Sequence, residues 1–165
     1  MNFSNFFLKI IPFILILAFG CKEDVVVPTS AVLTLNGVSF VPENATIIGV
    51  SINNVGHAGI SLVNINGTSV ETLTIDVEYS GNSSIAGTYS FPQAASDKYL
   101  DNFLTNFTVF DGTTFSGEAQ LTEGSISVQE NGNNNYTINM NLIMDDGTAF
   151  KGTYTGNFTV VFNNG

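Results

Sequence analysis

The sequence predicts an all-β domain: an antiparallel meander forming a sandwich or flattened barrel, with at most one short helical turn. Short β-branched and aromatic runs are separated by Asn, Thr, Ser and Gly, the residues typical of turns between strands. Several runs also alternate between apolar and polar residues, as residues 136–142 do, which indicates one buried and one wet face. Parallel crossover units would need intervening helices, and the chain lacks a pattern for them.

The strands are expected in chain order from residue 31. The first two, 31–35 and 38–40, form a hairpin around Asn36-Gly37, a favoured two-residue turn. Turn signals also lie at Asp111-Gly112, Asn131-Gly132 and Asp146-Gly147. The helical turn is expected near 94–100, where Ser96 could cap it. The remaining strands are expected near 45–53, 58–65, 70–79, 84–91, 103–110, 114–121, 125–130, 135–144 and 148–162.

Three predicted strands carry a glycine between apolar residues, at Gly87, Gly117 and Gly152. An inward glycine leaves a gap that a cross-strand aromatic ring can cover, and it lets the strand coil sharply. Packing is therefore one explanation of the pattern. The alternative is that these glycines open a ligand cavity beside Phe150, Tyr154 and Tyr89.

The first thirty residues predict export. An apolar run, 10–19, follows Lys9 and ends at a small residue, Gly20, which is the layout of a cleavable signal. A spanning helix needs about 20 apolar residues, so a permanent transmembrane helix is the weaker interpretation. Leu17-Ala18-Phe19-Gly20-Cys21 resembles a bacterial lipobox, which implies cleavage before Cys21 and acylation of its thiol. The expected organisation is a signal peptide at 1–20, an acylated N-terminus and tether at 21–30, and a single β domain at 31–165.

The predicted address is the outer membrane, reached through this lipid anchor. Lys22-Glu23-Asp24 look like the signal that carries some Bacteroidota lipoproteins to the cell surface. We therefore expect a surface-exposed domain, with a periplasm-facing anchor as the alternative. The membrane is the one partner that the sequence indicates, and the extracellular or periplasmic partner stays unidentified.

The charge balance excludes one class of partner. The chain has 14 acidic residues and four lysines, and removal of Lys9 with the signal leaves 3 − 14 = −11. Nucleic-acid binding depends on Lys and Arg neutralising phosphates, so no nucleic-acid partner is expected. The acidity is typical of a soluble surface domain. A single cysteine allows no internal disulfide, so packing must hold the fold.

The chain carries few candidates for catalysis. His57 is the single histidine, and 53–59 is expected to be an exposed turn between two strands. Asp76 and Glu78 lie two residues apart on the outward, solvated face of a predicted strand. Paired carboxylates can hydrolyse glycosides, so a weak hydrolase is a minor alternative. We expect no enzyme, and assign no catalytic residues.

Among metal ions, calcium is the one most compatible with the sequence, because it takes oxygen ligands. Asp145-Asp146-Gly147, Asp97 and Asp101 could supply some of them. Their spacing does not match an EF-hand loop, and Asp-Asp-Gly is also a good hairpin turn. No metal or cofactor site is assigned, and bound calcium stays open.

Several strand-and-turn motifs are shared with a known family. They are the hairpin 33–40, then Gly87-Thr88-Tyr89-Ser90-Phe91, then 124–128, and finally the closing segment 150–158. Together they resemble a family of small Bacteroidota lipoproteins with a single all-β domain. The resemblance implies the fold and the envelope address, and it brings no activity or catalytic residue. The function expected is a non-enzymatic binding or scaffolding module; the alternative is a lipocalin-like carrier of a small apolar ligand.

Overall fold

The computed structural model describes residues 30–80, 84–94 and 98–164. The signal peptide, Cys21 and most of the tether lie outside the described residues. The strands are β1 Ser30–Ala31, β2 Thr34–Leu35, β3 Val38–Ser39, β4 Asn44–Ile52, β5 Val55–Asn66, β6 Ser69–Ser80, β7 Gly87–Phe91, β8 Tyr99–Leu100, β9 Asn106–Phe110, β10 Phe115–Gly132, β11 Asn135–Met144, β12 Ala149–Asn157 and β13 Thr159–Asn164.

The strands hydrogen-bond in the order β13-β4-β5-β6-β9-β10-β11-β12-β2-β3, with β1, β7 and β8 attached at the side. The 18-residue strand β10 divides this sheet into two. Residues 115–120 pair with β9, which places them in sheet I together with β13, β4, β5, β6 and β8. Residues 121–132 pair with β11, in sheet II together with β12, β1, β2, β3 and β7. Register shifts beside Gly117 and Thr122 interrupt the ladder, and such bulges bend a strand.

A single hydrophobic core packs between the two sheets. Sheet I contributes the inward residues of β4, β5 and β6, whose side chains alternate strictly with outward ones. Sheet II contributes Phe150, whose ring makes edge contacts with Phe40 and with Phe107 of β9 in sheet I. The fully buried side chains include Leu33, Ile47, Ile60, Leu62, Leu73, Ile75, Leu100, Ile138, Tyr89 and Phe150.

The all-β prediction is confirmed, and the described residues contain no helix. Tyr99–Leu100 form a strand where the helical turn was expected, while residues 95–97 lie outside the described part of the chain. A single backbone turn follows instead, in which the amide of Thr105 donates to the carbonyl of Asp101 at 2.9 Å. The alternating pattern after Asp101 therefore belongs to β9, which begins at Asn106.

The last strand departs from the meander. The predicted strand 148–162 is interrupted at the buried residue Phe158, where the chain leaves sheet II. It then enters sheet I as β13 and pairs with β4 in parallel. The run 114–130, predicted as two strands, is one strand because β10 crosses between the sheets without a turn.

Three hairpins have asparagine at the centre of their turns. Both central residues have positive φ at Asn36/Gly37, Asn53/Asn54 and Asn133/Asn134, as a type I′ turn requires. Asn tolerates this conformation better than most side chains do. The turn expected at Asn131-Gly132 therefore lies two residues later, at Asn133/Asn134.

Aromatic rings do cover inward glycines, although not at the three predicted positions. Phe162 lies over Gly49, and Tyr79 lies over its cross-strand partner Gly56. Gly152 instead lies under the backbone of Val32, which leaves no room for a side chain. These glycines serve close packing. The described residues include no helix long and apolar enough to cross a membrane.

Candidate functional site

The candidate site lies on the outward side of sheet I, which we call the open face. Two rows of cross-strand partners meet at its centre. One row runs Val50, His57, Glu78, Tyr99 from β4 to β8. The next runs Val161, Ile48, Gly59, Asp76 from β13 to β6. The face is therefore apolar on the β13–β4 side and acidic on the β6–β8 side.

His57 lies between two carboxylates. Its Nδ1 is 3.7 Å from Asp76 Oδ1, and its Nε2 is 3.4 Å from Glu78 Oε2. The phenol of Tyr99 donates a hydrogen bond of 2.5 Å to the same Oε2 of Glu78. We call these four residues the acid–histidine cluster. Because β5 and β6 pair in register, His57 and Glu78 are direct cross-strand neighbours, which fixes the geometry.

Asp76 is the least satisfied group of this cluster. Its residue is only 9% exposed, although it points away from the core. Its Oδ1 has no hydrogen-bond partner among the described residues, since 3.7 Å to His57 is too long for a hydrogen bond. Burial raises the pKa of Asp76 to about 6, against the attraction of His57 and with the repulsion of Asp101. The carboxylate is thus held in an environment that penalises its charge.

The segment after β8 is hydrogen-bonded to the backbone of Asp76. The amide of Asp101 donates to the carbonyl of Asp76 at 3.0 Å, and the amide of Asp76 donates to Thr105 Oγ1 at 3.0 Å. The side chain of Asp101 stabilises the turn that follows it, because its Oδ1 accepts hydrogen bonds from the amides of Phe103 and Leu104. The backbone between β8 and β9 therefore lies against the acidic edge of the open face.

Tyr99 closes the acidic side. Its hydrogen bond to Glu78, with a smaller contribution from burial, raises the pKa of Tyr99 to about 12. The phenol consequently stays protonated and remains a donor at neutral pH. Glu78 is thereby held between one neutral donor, Tyr99, and one imidazole, His57.

Four exposed aliphatic residues form the apolar patch: Ile48, Val50, Ile52 and Val55. Ile48 and Ile52 are each 61% exposed, which is unusual for isoleucines in regular strands. Gly59 separates this patch from Asp76, and a Cβ added there would meet nothing within 4 Å. The centre of the open face is therefore a shallow depression with an apolar wall and an acidic wall.

Two sequence predictions for these residues need correction. His57 is not in an exposed loop, because the type I′ turn at Asn53/Asn54 is tight and β5 begins at Val55. Asp76 does point outward, as predicted, but it is not solvated, because the segment at Asp101 lies against it. Sequence analysis missed Tyr99, Gly59 and the apolar patch. The near-continuous apolar run 45–52, with no regular polar alternation, was the available signal for the patch.

The calcium candidates do not come together. Asp145 Oδ1 accepts from the amide of Gln120, and Asp146 Oδ1 accepts from the amide of Thr148. These carboxylates organise a hairpin turn, and Asp101 lies in a turn of another segment. Asp97 lies outside the described residues. Within the described residues, no group of three His, Cys, Asp or Glu side chains is placed to hold a metal ion.

The ring nitrogens of His57 and the phenol of Tyr99 are all directed at carboxylates of the cluster. Both ring nitrogens of His57 face carboxylates, so neither is placed to deprotonate a serine or threonine hydroxyl. The Tyr99 hydroxyl is already used by Glu78. What the open face offers is negative charge, an aliphatic surface and a depression between them.

The core gives the carrier hypothesis no support. Tyr89 and Phe150 are fully buried, and Tyr154 and Phe158 make an edge contact with ring centroids 5.5 Å apart. The hydroxyl of Tyr89 donates to the carbonyl of Ile85. All four rings belong to the buried core of the described residues. Comparisons with protein-family models, curated proteins and solved structures each find no match.

Proposed function

We propose that this chain is a lipid-anchored cell-envelope lipoprotein whose β domain is a non-enzymatic binding module. The proposed binding surface is the open face of sheet I. One observation carries the proposal: an exposed apolar patch adjoins a buried, unsatisfied carboxylate across an open glycine. Exposed apolar surface beside polar groups is typical of protein interaction sites.

The proposed partner is an extracytoplasmic protein with lysine or arginine beside apolar side chains. Complementary charge favours this chemistry, because Asp76 and Glu78 lie on the face and the mature chain carries −11 in all. A cation reaching Gly59 would approach Asp76, while its apolar neighbours would cover Ile48 and Val50. An acidic partner would meet repulsion from Asp76 and Glu78.

The anchor part of the proposal is supported by the sequence of residues 17–21 alone. Mass spectrometry of the native protein tests it: we expect an N-terminal residue 21 carrying acyl chains, and membrane release in Cys21→Ser. A mature chain that starts elsewhere would remove the proposed address and leave the binding surface standing.

Site-specific photocrosslinking in the native host tests the binding surface. A photoreactive phenylalanine at Ile48 probes the open face, and the same residue at Asn141, outward on β11, is the matched control on sheet II. We expect one discrete crosslinked protein from position 48 and none from position 141. Crosslinking should weaken at high salt, because the contact is partly electrostatic.

Gly59→Val sharpens the test without disturbing the fold. The valine side chain would project into open space between Ile48 and Asp76 and fill the depression. We expect a normal unfolding midpoint with at least a tenfold loss of crosslinking at position 48. Equal crosslinking from both sheets, or crosslinking unaffected by Gly59→Val, would refute the open face as the binding surface.

A further inference from the structure

The edge strand β13 has one side without a partner in the described part of the chain. It pairs in parallel with β4, and it is the first strand of the sheet order. Its residues Val161 and Phe162 are 53% and 43% exposed. Such an edge presents unpaired backbone amides and carbonyls, and it is a template for another strand.

The opposite edge of the sheet is protected, and β13 is not. At that end β3 has only two residues, too short for a stable ladder. β13 has six residues, reading Thr-Val-Val-Phe-Asn-Asn, with no charge, proline or glycine. Proteins commonly discourage edge pairing with charges or proline, and this strand has neither.

The sequence of β13 is complementary to itself. In an antiparallel pair centred on Val161, Val160 lies opposite Phe162 of the second copy, and Thr159 lies opposite Asn163. Both residues of each pair point to the same side of the sheet, because outward Val161 and inward Val160 alternate. A pair of β-branched and aromatic residues stabilises antiparallel strands, and no like charges face each other.

We propose that β13 pairs antiparallel with β13 of a second copy of this chain, forming a two-fold symmetric dimer. The pairing joins two sheets I into one sheet and brings the two open faces side by side. It is closed, since each copy uses the same edge once and β3 is too short to continue the sheet. The strand carries no charge that could select an oppositely charged partner. A second copy, whose β13 is equally uncharged, is therefore the favoured occupant of this edge.

The dimer is expected to be weak in solution. Five paired residues in each strand bury less than the roughly 1,200 Å² of a stable protein interface. Two domains anchored in the same membrane, as the proposed function requires, are confined near each other. This raises their effective concentration toward about 1 mM, where weak pairing becomes significant. The appropriate measurement therefore covers high concentrations.

Sedimentation velocity from about 5 µM to about 1 mM, the range set by that effective concentration, tests the proposal. The sample is the chain from residue 21 with Cys21→Ser, which removes disulfide dimers as an explanation. We expect monomer at low concentration and dimer at high concentration. In the dimer, hydrogen exchange at residues 159–164 should slow at least fivefold, while β4 and β5 amides should not change.

Val161→Lys places two lysines opposite each other at the centre of the pair, and should abolish the dimer. Val38→Lys is the matched control, because Val38 is also an exposed valine on an edge strand, the short strand β3. It should leave the dimer intact. A monomer across the whole range, larger oligomers, or protection of β4–β5 instead of β13 would each overturn the proposal. Failure here leaves the open face and its crosslinking test unaffected.

Discussion

The outward faces of the two sheets differ in how their side chains are satisfied. On sheet II the outward residues are mostly neutral Thr, Asn and Ser, and they hydrogen-bond to one another across the strands. Thr137 and Thr155 join their hydroxyls at 3.0 Å, and Asn139 connects Thr153 with Ser127. On sheet I the outward residues include Thr46, Ser61 and Thr74, but also exposed aliphatic side chains and the carboxylates of Asp76 and Glu78. Asp76 Oδ1 has no partner among the described residues.

The two faces therefore differ in whether their polar side chains satisfy one another. A face whose donors and acceptors satisfy each other loses little by facing water and gains little from a partner. A face with exposed isoleucines beside a buried carboxylate has both apolar area and charge left to offer. The free energy of unfolding, measured for matched substitutions in the two sheets, tests whether this difference holds.

The largest effect is expected at Gly152, which faces inward on sheet II. Its φ of +122° suits glycine, and an added Cβ would collide with the carbonyl oxygen of Val32. Gly152→Ala should therefore lower the free energy of unfolding by about 3 kcal/mol or more. Urea unfolding followed by fluorescence or circular dichroism measures the loss.

Gly59→Ala is the control on sheet I. No atom lies within 4 Å of the added Cβ, so the substitution should cost nothing. Glycine inside a strand is less stable than alanine by about 0.5–1 kcal/mol, so a small gain is the expected result. A loss comparable to that of Gly152→Ala would mean that the fold, rather than binding, requires the glycine of the open face.

Asp76→Asn should stabilise the domain at neutral pH. The pKa of Asp76, about 6 in the folded state and 3.8 ordinarily, means that the folded state binds the proton more tightly. Stability attributable to this group is therefore highest below pH 4, falls between pH 4 and pH 6, and stays low above pH 6. Removing the charge should restore about 1–3 kcal/mol at pH 7.

The measurement is urea unfolding of both proteins at pH 4, 5, 6 and 7. The difference in free energy of unfolding between Asp76→Asn and the unaltered protein should grow from pH 4 to pH 6 and then remain constant. Glu123→Gln, at an exposed position of β10, controls for the change in net charge. A less stable Asp76→Asn protein at pH 7 would show that the attraction of His57 outweighs the cost of burial, and the open face would then count as satisfied.

The sequence predicted the fold better than the site, for a physical reason. Alternation along β6 correctly places Leu73 and Ile75 inward and Asp76 and Glu78 outward, since a two-residue period fixes the face of every side chain. It does not say what covers the outward side. Tyr99 lies 21 residues beyond Glu78 in the chain, and only the pairing of β8 with β6 brings them together.

The same limit applies to the last strand. In the sequence, Phe150, Tyr154 and Phe158 share one parity, which places them on the same side of a strand, and all three are buried. The parity could not predict that β13 leaves sheet II and adds to β4 in parallel, because parity is unchanged by the crossing. Long-range pairing carries the information that local periodicity lacks.

The smallest expected effect compares opposite substitutions on the two outward faces. Thr137→Val keeps the β-branched shape but removes the hydroxyl that joins Thr155 and accepts from Asn131. It should lower the free energy of unfolding by about 0.5–1.5 kcal/mol. Ile48→Thr introduces a hydroxyl on the open face, with β-branching again kept, and should change stability by less than about 0.5 kcal/mol.

Urea unfolding of the two variants in the same buffer resolves the difference, since both keep strand propensity and neither changes the charge. If Ile48→Thr destabilised the domain as much as Thr137→Val, the apolar patch would be packing against part of this chain. Stability unaffected by Ile48→Thr, together with lost crosslinking at the open face, would instead assign the patch to a partner. The two outward faces would then differ in purpose as well as in chemistry, because only one of them contributes its side chains to the stability of the domain.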